Sequence, residues 1–370
     1  MKRRYIICFL TAFALIFMLC ACESGARNTG KSANNSNAEV RIFKDSAGRE
    51  VEVPKTIERV APSGTYAQIM LYTLCPEKLT GLSSAFTRTQ KKYVDEKYFE
   101  LPVLGQFYGG SGTLNLEALI AAAPDIIIDI GEPKEGIAED MDGLQEQSGI
   151  PAVFIEARLD NMAEAYDMLG ELLNYTAKSD QMSAYIRDVF NMAEENNAKL
   201  SESDRLRVIY SQGEYGLEVN AAGSIHAEAL DKAGAVNAAQ LGEAAISGKG
   251  GAEVSIEQML NWQPDVILLS PEANYDEIFT DPIWADVTAV QERRVYEVPL
   301  GMYNWLDRPP SVQRVLGVLW LGNLLYPQVY NYDMTKKAQE FYKLFFDYDL
   351  TEQEARELMA ESTCRADRNQ

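Results

Sequence analysis

The chain is poor in histidine, cysteine and positive charge. His226 is the one histidine among 370 residues. Carriers of bare zinc or manganese use clustered histidines and carboxylates, so free-metal transport lacks its ligands here. A single imidazole is also too little for most acid–base schemes, and no glycine-rich phosphate loop or zinc-hydrolase motif occurs. Gly109-Gly110-Ser111-Gly112 lacks the strand–serine–helix context of a nucleophile elbow and reads as a flexible turn. The expectation is a non-enzyme with no cofactor and no resident metal. Lys and Arg total 34 against 55 Asp and Glu, a formal net charge of -21. Phosphate binding needs basic patches, so nucleic acid is not an expected partner, and the acidic shell reads as a solvated surface. The five cysteines are Cys8, Cys20, Cys22, Cys75 and Cys364. They form neither a disulfide framework nor a thiolate metal site. Cys75 ends the apolar run from Ile69 and reads as a small buried hydrophobe.

The longest apolar run, Tyr5 to Leu19, is about 15 residues, short of the ~20 that a spanning helix needs. It follows Lys2, Arg3 and Arg4, which is the charge pattern of a secretory signal peptide. It closes on Leu19-Cys20-Ala21-Cys22, which resembles the bacterial lipobox. That resemblance implies a signal peptide over residues 1–21, a lipid on Cys22, and an extracytoplasmic protein anchored to the cell membrane. The other reading is an ordinary signal with incidental cysteines. Residues 22–39 are rich in Asn, Ser and Gly and read as a flexible tether.

Beyond the tether, Val40–Phe43 and Arg49–Val53 flank Asp45-Ser46-Ala47-Gly48, a hairpin pattern. Short apolar strands are expected at Arg59–Ala61, Lys78–Leu82, Pro102–Leu104, Ile126–Ile130 and Val153–Ile155, with helical patterns between them. Asn161 to Leu200 is helical, with Gly170 the one interruption, and its second helix runs from about Thr176 to Lys199. Strands resume at Val208–Tyr210, Val266–Leu269 and Val295–Val298. Amphipathic helices over Pro310–Leu325, Thr335–Phe346 and Thr351–Ala360 end the chain.

An internal repeat organises these elements. Leu114-Asn115-Leu116-Glu117 through Pro124-Asp125-Ile126-Ile127-Ile128 aligns without gaps on Val254-Ser255-Ile256-Glu257 through Pro264-Asp265-Val266-Ile267-Leu268. Each copy has a cap residue, a first-turn glutamate, a short helix, a Pro-Asp break and a buried strand. The expected fold is α/β: two Rossmann-like lobes with mostly parallel central sheets, bridged by a single long helix, with ligand in the interlobe cleft. The lobes would cover residues 40–160 and 201–330, with an interlobe helical segment over 161–200 and C-terminal helices over 331–370.

These segments resemble the periplasmic-binding family for ferric siderophores, haem and corrinoids, whose lobes are joined by one rigid helix. The resemblance is carried by Asp45-Ser46-Ala47-Gly48-Arg49-Glu50-Val51, Asn115-Leu116-Glu117 with Pro124-Asp125, Ala233-Gly234-Ala235-Val236-Asn237, and Val254-Ser255-Ile256-Glu257-Gln258 with Pro264-Asp265. It implies a substrate-binding component of an ABC importer, a monomer that captures an iron chelate or corrinoid and delivers it to the permease subunits. It also implies that Glu117 and Glu257 dock on arginines of the permease. Two carboxylates at matching places on two lobes are a pattern that a cationic partner can read. A glutamate in a helix's first turn also complements the macrodipole without any partner.

Ligands of open α/β sheets bind beyond the carboxyl ends of strands. The loops there offer Tyr66, Arg88, Phe107, Tyr108, Tyr303, Trp305 and Arg308 as ligand contacts. Their rings would suit a bulky organic or chelated ligand, and an arginine fork suits carboxylate, phosphate or oxyanion groups. Arg308 could instead be a structural partner of Asp307, and Trp262 is expected to pack against its sheet. His226 reads either as an axial ligand to haem or corrinoid or as a polar residue at a helix start, the second being preferred. Two alternatives remain: a molybdate- or tungstate-type oxyanion as cargo, which requires a small, polar, arginine-bearing cleft, or a lipid-anchored sensor that binds ligand without transport.

Overall fold

The computed structural model describes residues 39–108, 112–242 and 251–360. Cys22, Cys364 and the Gly109–Ser111 turn lie outside them. No helix among the described residues is long and apolar enough to cross a membrane.

The hairpin forms as its turn residues require. β1 (Val40–Lys44) pairs antiparallel with β2 (Glu50–Pro54). Asp45 Oδ1 accepts the Ala47 and Arg49 backbone N–H groups at 3.0 and 2.9 Å, and Gly48 takes the left-handed conformation at φ 81°. The other oxygen accepts from the Phe154 N–H at 3.2 Å and ties the hairpin to the first sheet.

That sheet is parallel, in the order β3 (Val60–Pro62), β4 (Ile126–Gly131), β5 (Ala152–Glu156). Its strands are largely apolar because both faces are covered, with Asp129 of β4 a buried exception. Lys78–Leu82 and Pro102–Leu104 do not form strands and contribute only the isolated bridges Val60–Leu79 and Leu82–Val103. Pro76 opens a 3-10 turn over Pro76–Lys78, and Pro102 has no N–H to give to a ladder. Helices α1 (Thr65–Leu74), α2 (Leu116–Ala121) and α3 (Ile137–Ser148) belong to this lobe.

Two packed helices follow, α4 (Met162–Leu173) and α5 (Thr176–Asn197). Asn174 ends α4 in the left-handed conformation at φ 60°. Gly170 is explained by the close approach of the pair: a Cβ there would lie 1.9 Å from Ser179 Oγ. At 22 residues α5 is about 33 Å long, the long helix between the lobes.

The second sheet runs β11 (Val295–Glu297), β10 (Val266–Leu269), β6 (Arg207–Gln212), β7 (Glu218–Val219), β9 (Ala252–Glu253), with β8 (Val236–Asn237) also paired to β6. β8, β10 and β11 run parallel to their neighbours, whereas β7 is antiparallel to both β6 and β9. Helices α6 (Glu228–Lys232), α7 (Ile256–Trp262), α8 (Tyr275–Thr280) and α9 (Thr288–Gln291) accompany it. The chain ends in α10 (Gln313–Leu325), α11 (Met334–Phe346) and α12 (Glu352–Ala360). These helices join the main core: Phe341 and Phe345 are buried, and Phe345 packs edge-on against Tyr166 of α4 at 5.9 Å between ring centroids.

The repeat is the same device built twice. Asn115 and Ser255 cap α2 and α7, accepting from the Ala118 and Gln258 N–H groups at 3.0 and 3.4 Å. Asp125 Oδ2 accepts from the N–H groups of Glu58 and Arg59, and Asp265 Oδ2 accepts from that of Arg207, at 2.7–2.9 Å. Each Pro-Asp aspartate thus fixes the start of a neighbouring strand. Arg59 and Arg207 in turn donate to carbonyls at the ends of α2 and α7, including those of Ala123 at 2.8 Å and Trp262 at 2.9 Å.

Candidate functional site

The carboxyl ends of β3, β4 and β5 deliver Ser63, Glu132 and Arg158; that of β6 delivers Gln212. In the first lobe the Ser63 hydroxyl donates to Asp129, a buried carboxylate whose pKa is pushed up by burial and pulled back by that hydroxyl. The Ser63 carbonyl accepts the Phe107 N–H at 2.7 Å and holds the loop after it. Phe107 and Tyr108 meet edge-on at 4.7 Å, the Tyr108 hydroxyl donates to Asp140 at 2.6 Å, and Lys134 Nζ lies 3.6 Å from the Tyr108 ring centroid. Burial foremost, then Asp140, raises the pKa of this phenol.

The lobes meet at Glu228. Its carboxylate accepts from Arg158 Nε at 3.1 Å and from the Leu159 backbone N–H at 2.9 Å, both following β5. From its own lobe it accepts Arg314 Nη1 at 2.7 Å. Arg314, 0% exposed, also donates to the Ile225 carbonyl at 2.8 Å and reaches the Tyr66 hydroxyl at 3.4 Å. Burial raises the Tyr66 pKa, and the adjacent guanidinium opposes the rise. Arg158 faces Glu132 as well, at 3.5 Å. The floor between the lobes is therefore a polar string of Glu132, Arg158, Glu228, Arg314 and Tyr66.

Next to it, His226 Nδ1 lies 2.6 Å from the carboxylate of Asp307. Asp307 is 0% exposed, whereas the histidine side chain is 19% exposed. The same carboxylate accepts from Gln212 Nε2 at 3.1 Å and Asn220 Nδ2 at 3.0 Å. His226 stands just before α6, so its position at a helix start is as expected, but its ring is engaged by a buried carboxylate.

The structure brings together only some of the residues expected at the ligand. Tyr66 is on the floor, and Phe107 and Tyr108 are half-buried on the first-lobe loop. Trp305 is 0% and Tyr303 5% exposed, both in the main hydrophobic core. Gly317 of α10 leaves room for this packing, since a Cβ there would lie 2.0 Å from the Trp305 carbonyl oxygen. Arg308 is exposed, left-handed at φ 54°, and paired with Glu218 rather than with Asp307. Arg88 is exposed and makes no ion pair with a described residue. Trp262 packs partly buried against the second-lobe core, as its place in the repeat requires.

Arg158, Glu228, Asp307 and Arg314 were not among the expected contacts. Arg314 did carry a signal: it is a lone charge at the start of an otherwise apolar helix, and arginine is almost never fully buried unless paired. Cavities of about 360 Å³ and 300 Å³ open at the strand ends of the second lobe. The first lies between Lys92 and α12 beyond β10 and β11; the second follows β6 and includes Gln212, Tyr215 and Glu218. Among the described residues, no group of three or more His, Cys, Asp or Glu side chains is placed to hold a metal ion.

Two sheets joined by a long helix, with polar side chains converging where their strands end, is the plan of a cleft-type binding protein. The family profile described as "Periplasmic binding protein" matches residues 63–300. The chain belongs to the periplasmic binding protein family. A solved ABC transporter solute-binding protein from Sulfurospirillum deleyianum is 30% identical, with a TM-score of 0.78 over 86% of this chain and 99% of that one. The molybdate-binding protein MolA of Haemophilus influenzae is 24% identical over 336 residues, 83% of this chain and 91% of MolA. The Fe(3+)-citrate-binding protein YfmC of Bacillus subtilis is 20% identical over 299 residues, 80% of this chain and 90% of YfmC. This periplasmic binding protein is accordingly the extracytoplasmic, solute-binding part of an ABC importer, and not an enzyme. It binds a small ligand and works with a permease.

Proposed function

We propose that this protein captures a compact metal chelate, of the iron–carboxylate kind, in the cleft between its sheets. The observation that carries the reading is the single histidine, partly exposed beside the floor where the two lobes meet. One imidazole cannot hold a bare ion, but it can complete the coordination of a metal that arrives with its own ligands. The similarity to YfmC supports this class. Tyr66, Phe107 and Tyr108 supply ring faces, and the exposed Arg88 and Arg308 are the cations for peripheral carboxylates, Arg308 in competition with Glu218. With Tyr303 and Trp305 in the core, few rings remain for a macrocycle such as haem or a corrinoid.

A second reading, a molybdate-type oxyanion, is favoured by the similarity to MolA and by two arginines on the floor. Both arginines already face Glu228, so a bare oxyanion has to compete with a carboxylate for them.

The remaining assignments follow the sequence. Residues 1–21 are a signal peptide, Cys22 carries the lipid, residues 22–39 are the tether, and the protein acts as an anchored monomer. Its lobes are residues 40–160 and 201–330, with the helical segment 161–200 between them and the C-terminal helices in 331–370. Glu117 and Glu257 dock on permease arginines. Both are exposed at matching positions of the repeat, and the Ser255 hydroxyl holds Glu257 below the usual carboxylate range.

The test is calorimetry and native mass spectrometry on the full chain in detergent, with ferric citrate, ferric siderophores, haem, cobalamin, molybdate and tungstate. Saturable one-to-one binding of ferric citrate or another small chelate supports the reading, and tight binding of an oxyanion alone replaces it with the second. For docking, the E117R/E257R variant should lose uptake and keep ligand affinity; retained uptake removes the docking assignment.

A further inference from the structure

The network around Asp307 assigns that residue a task beyond holding its loop, one that rests on the chelate reading above. Its carboxylate is fully buried and takes N–H groups from Gln212, Asn220 and His226. A carboxylate only accepts, so its contact with His226 puts the ring proton on Nδ1. The two amides, on β6 and just after β7, present their nitrogens to the other oxygen and leave the carboxylate one orientation. Asn304 fixes the backbone from below: its Oδ1 accepts the Leu306 and Asp307 N–H groups at 2.9 and 3.2 Å. The His226 N–H is in turn held by Ser224 Oγ at 3.1 Å, and its carbonyl accepts from Asn220 Nδ2 at 3.2 Å. Both ends of the His226–Asp307 contact are thus fixed by hydrogen bonds to neighbouring side chains.

We infer that Asp307 is a positioning residue: it holds His226 as the Nδ1–H tautomer, so that Nε2 offers its electron pair to the metal of the bound chelate. A carboxylate behind an imidazole both orients the ring and strengthens it as a ligand, and loss of such a partner typically costs roughly 10- to 100-fold in metal affinity. A merely structural histidine would share the fixed tautomer but would show no change at Nε2 when the chelate binds.

The lone histidine makes the test direct, because the full chain labelled with nitrogen-15 histidine has one imidazole. Long-range proton–nitrogen spectra should show protonated Nδ1 and unprotonated Nε2 in the free protein. Saturation with gallium(III) citrate, a diamagnetic stand-in for the ferric complex, should shift Nε2 strongly and Nδ1 little. The Asp307→Asn variant, close in size, should mix the tautomers and weaken ferric citrate binding by roughly 10- to 100-fold. His226→Gln should weaken it at least as much, with no further loss in the double variant. A free protein carrying its proton on Nε2 overturns the role of Asp307, and that measurement needs neither variant nor ligand. An Nε2 signal unmoved at saturation overturns metal contact alone. If ferric and gallium citrate do not bind at all, the chelate reading fails, and metal contact fails with it.

Discussion

Arg314 and Glu228 form a 2.7 Å ion pair in which the arginine is completely buried, and the same carboxylate takes the Leu159 N–H at 2.9 Å from across the cleft. A charge this deep is tolerable only while its partner stays charged. Glu228→Gln leaves Arg314 facing a neutral amide, and removing one member of a buried pair costs ~3–5 kcal/mol. Denaturant unfolding should show a lower midpoint at unchanged slope. The double variant Glu228→Leu/Arg314→Met removes both charges and should lose less than Glu228→Gln alone. Equal losses in the two would place the cost elsewhere.

The aspartates of the repeat make a graded prediction. Asp125 accepts two backbone N–H groups at the start of β3, whereas Asp265 accepts one at the start of β6. Each net hydrogen bond is worth about 1 kcal/mol, so Asp125→Ala should cost more than Asp265→Ala. The two sites lie in different sheets and share no partner, so the losses should add to within ~0.5 kcal/mol in the double variant. Urea unfolding of the three proteins checks both the order and the additivity.

How far the sequence reaches depends on the range of the interaction. The hairpin turn around Asp45 and the caps at Asn115 and Ser255 are local devices whose partners lie a few residues away, and each was legible. The Pro-Asp breaks were legible as breaks, but the partners of their aspartates, 58 to 67 residues away, were not. So was the α/β alternation, because apolar runs and helical spacing record burial directly. The floor of the cleft was not. Arg158, Glu228 and Arg314 are brought together from the end of β5 and the starts of α6 and α10, with Glu228 and Arg314 86 residues apart in the chain. No local pattern encodes such a meeting. Trp305 misled for a related reason: a loop after a strand usually faces solvent, but this one is covered by α10 and α11, which come later in the chain.

Trp305 supplies the next expectation. Its indole is fully buried, and the same loop is pinned by the Met302 N–H, which donates to the Tyr342 hydroxyl of α11 at 3.1 Å. Trp305→Ala should cost ~3–5 kcal/mol, the usual loss for an excavated aromatic core position. Ligand affinity of the folded fraction should stay within about twofold. Thermal unfolding separates the two effects when affinity is measured well below the transition. A large loss of affinity in a protein of near-normal stability would return Trp305 to the ligand.

Glu354 gives a pH dependence whose sign is fixed. Thr351 and Glu354 form a reciprocal cap at the start of α12: the Thr351 N–H donates to the carboxylate at 2.9 Å, and the Glu354 N–H donates to the threonine hydroxyl oxygen at 3.2 Å. Lys92 of the first lobe pairs with the same carboxylate at 3.0 Å, so the cap also ties the C-terminal helix to the body of the protein. The Thr351 N–H, assisted by Lys92 and the Thr351 and Tyr348 hydroxyls, holds the Glu354 pKa down at about 2, against 4.5 for an ordinary glutamate. Folding therefore favours the ionised form. The stabilisation is complete above the ordinary value and disappears as pH falls from 4.5 toward 2. Because the carboxylate is partly exposed, Glu354→Gln should cost only about 1 kcal/mol at neutral pH, the usual worth of a helix cap. The stability gap between the two proteins should be constant from pH 7 to about 5 and close steadily below that. Urea unfolding at intervals from pH 7 to 3 measures it. A gap that widens on acidification would mean that the carboxylate is protonated in the folded protein, and that neither the cap nor Lys92 acts on it as a charge.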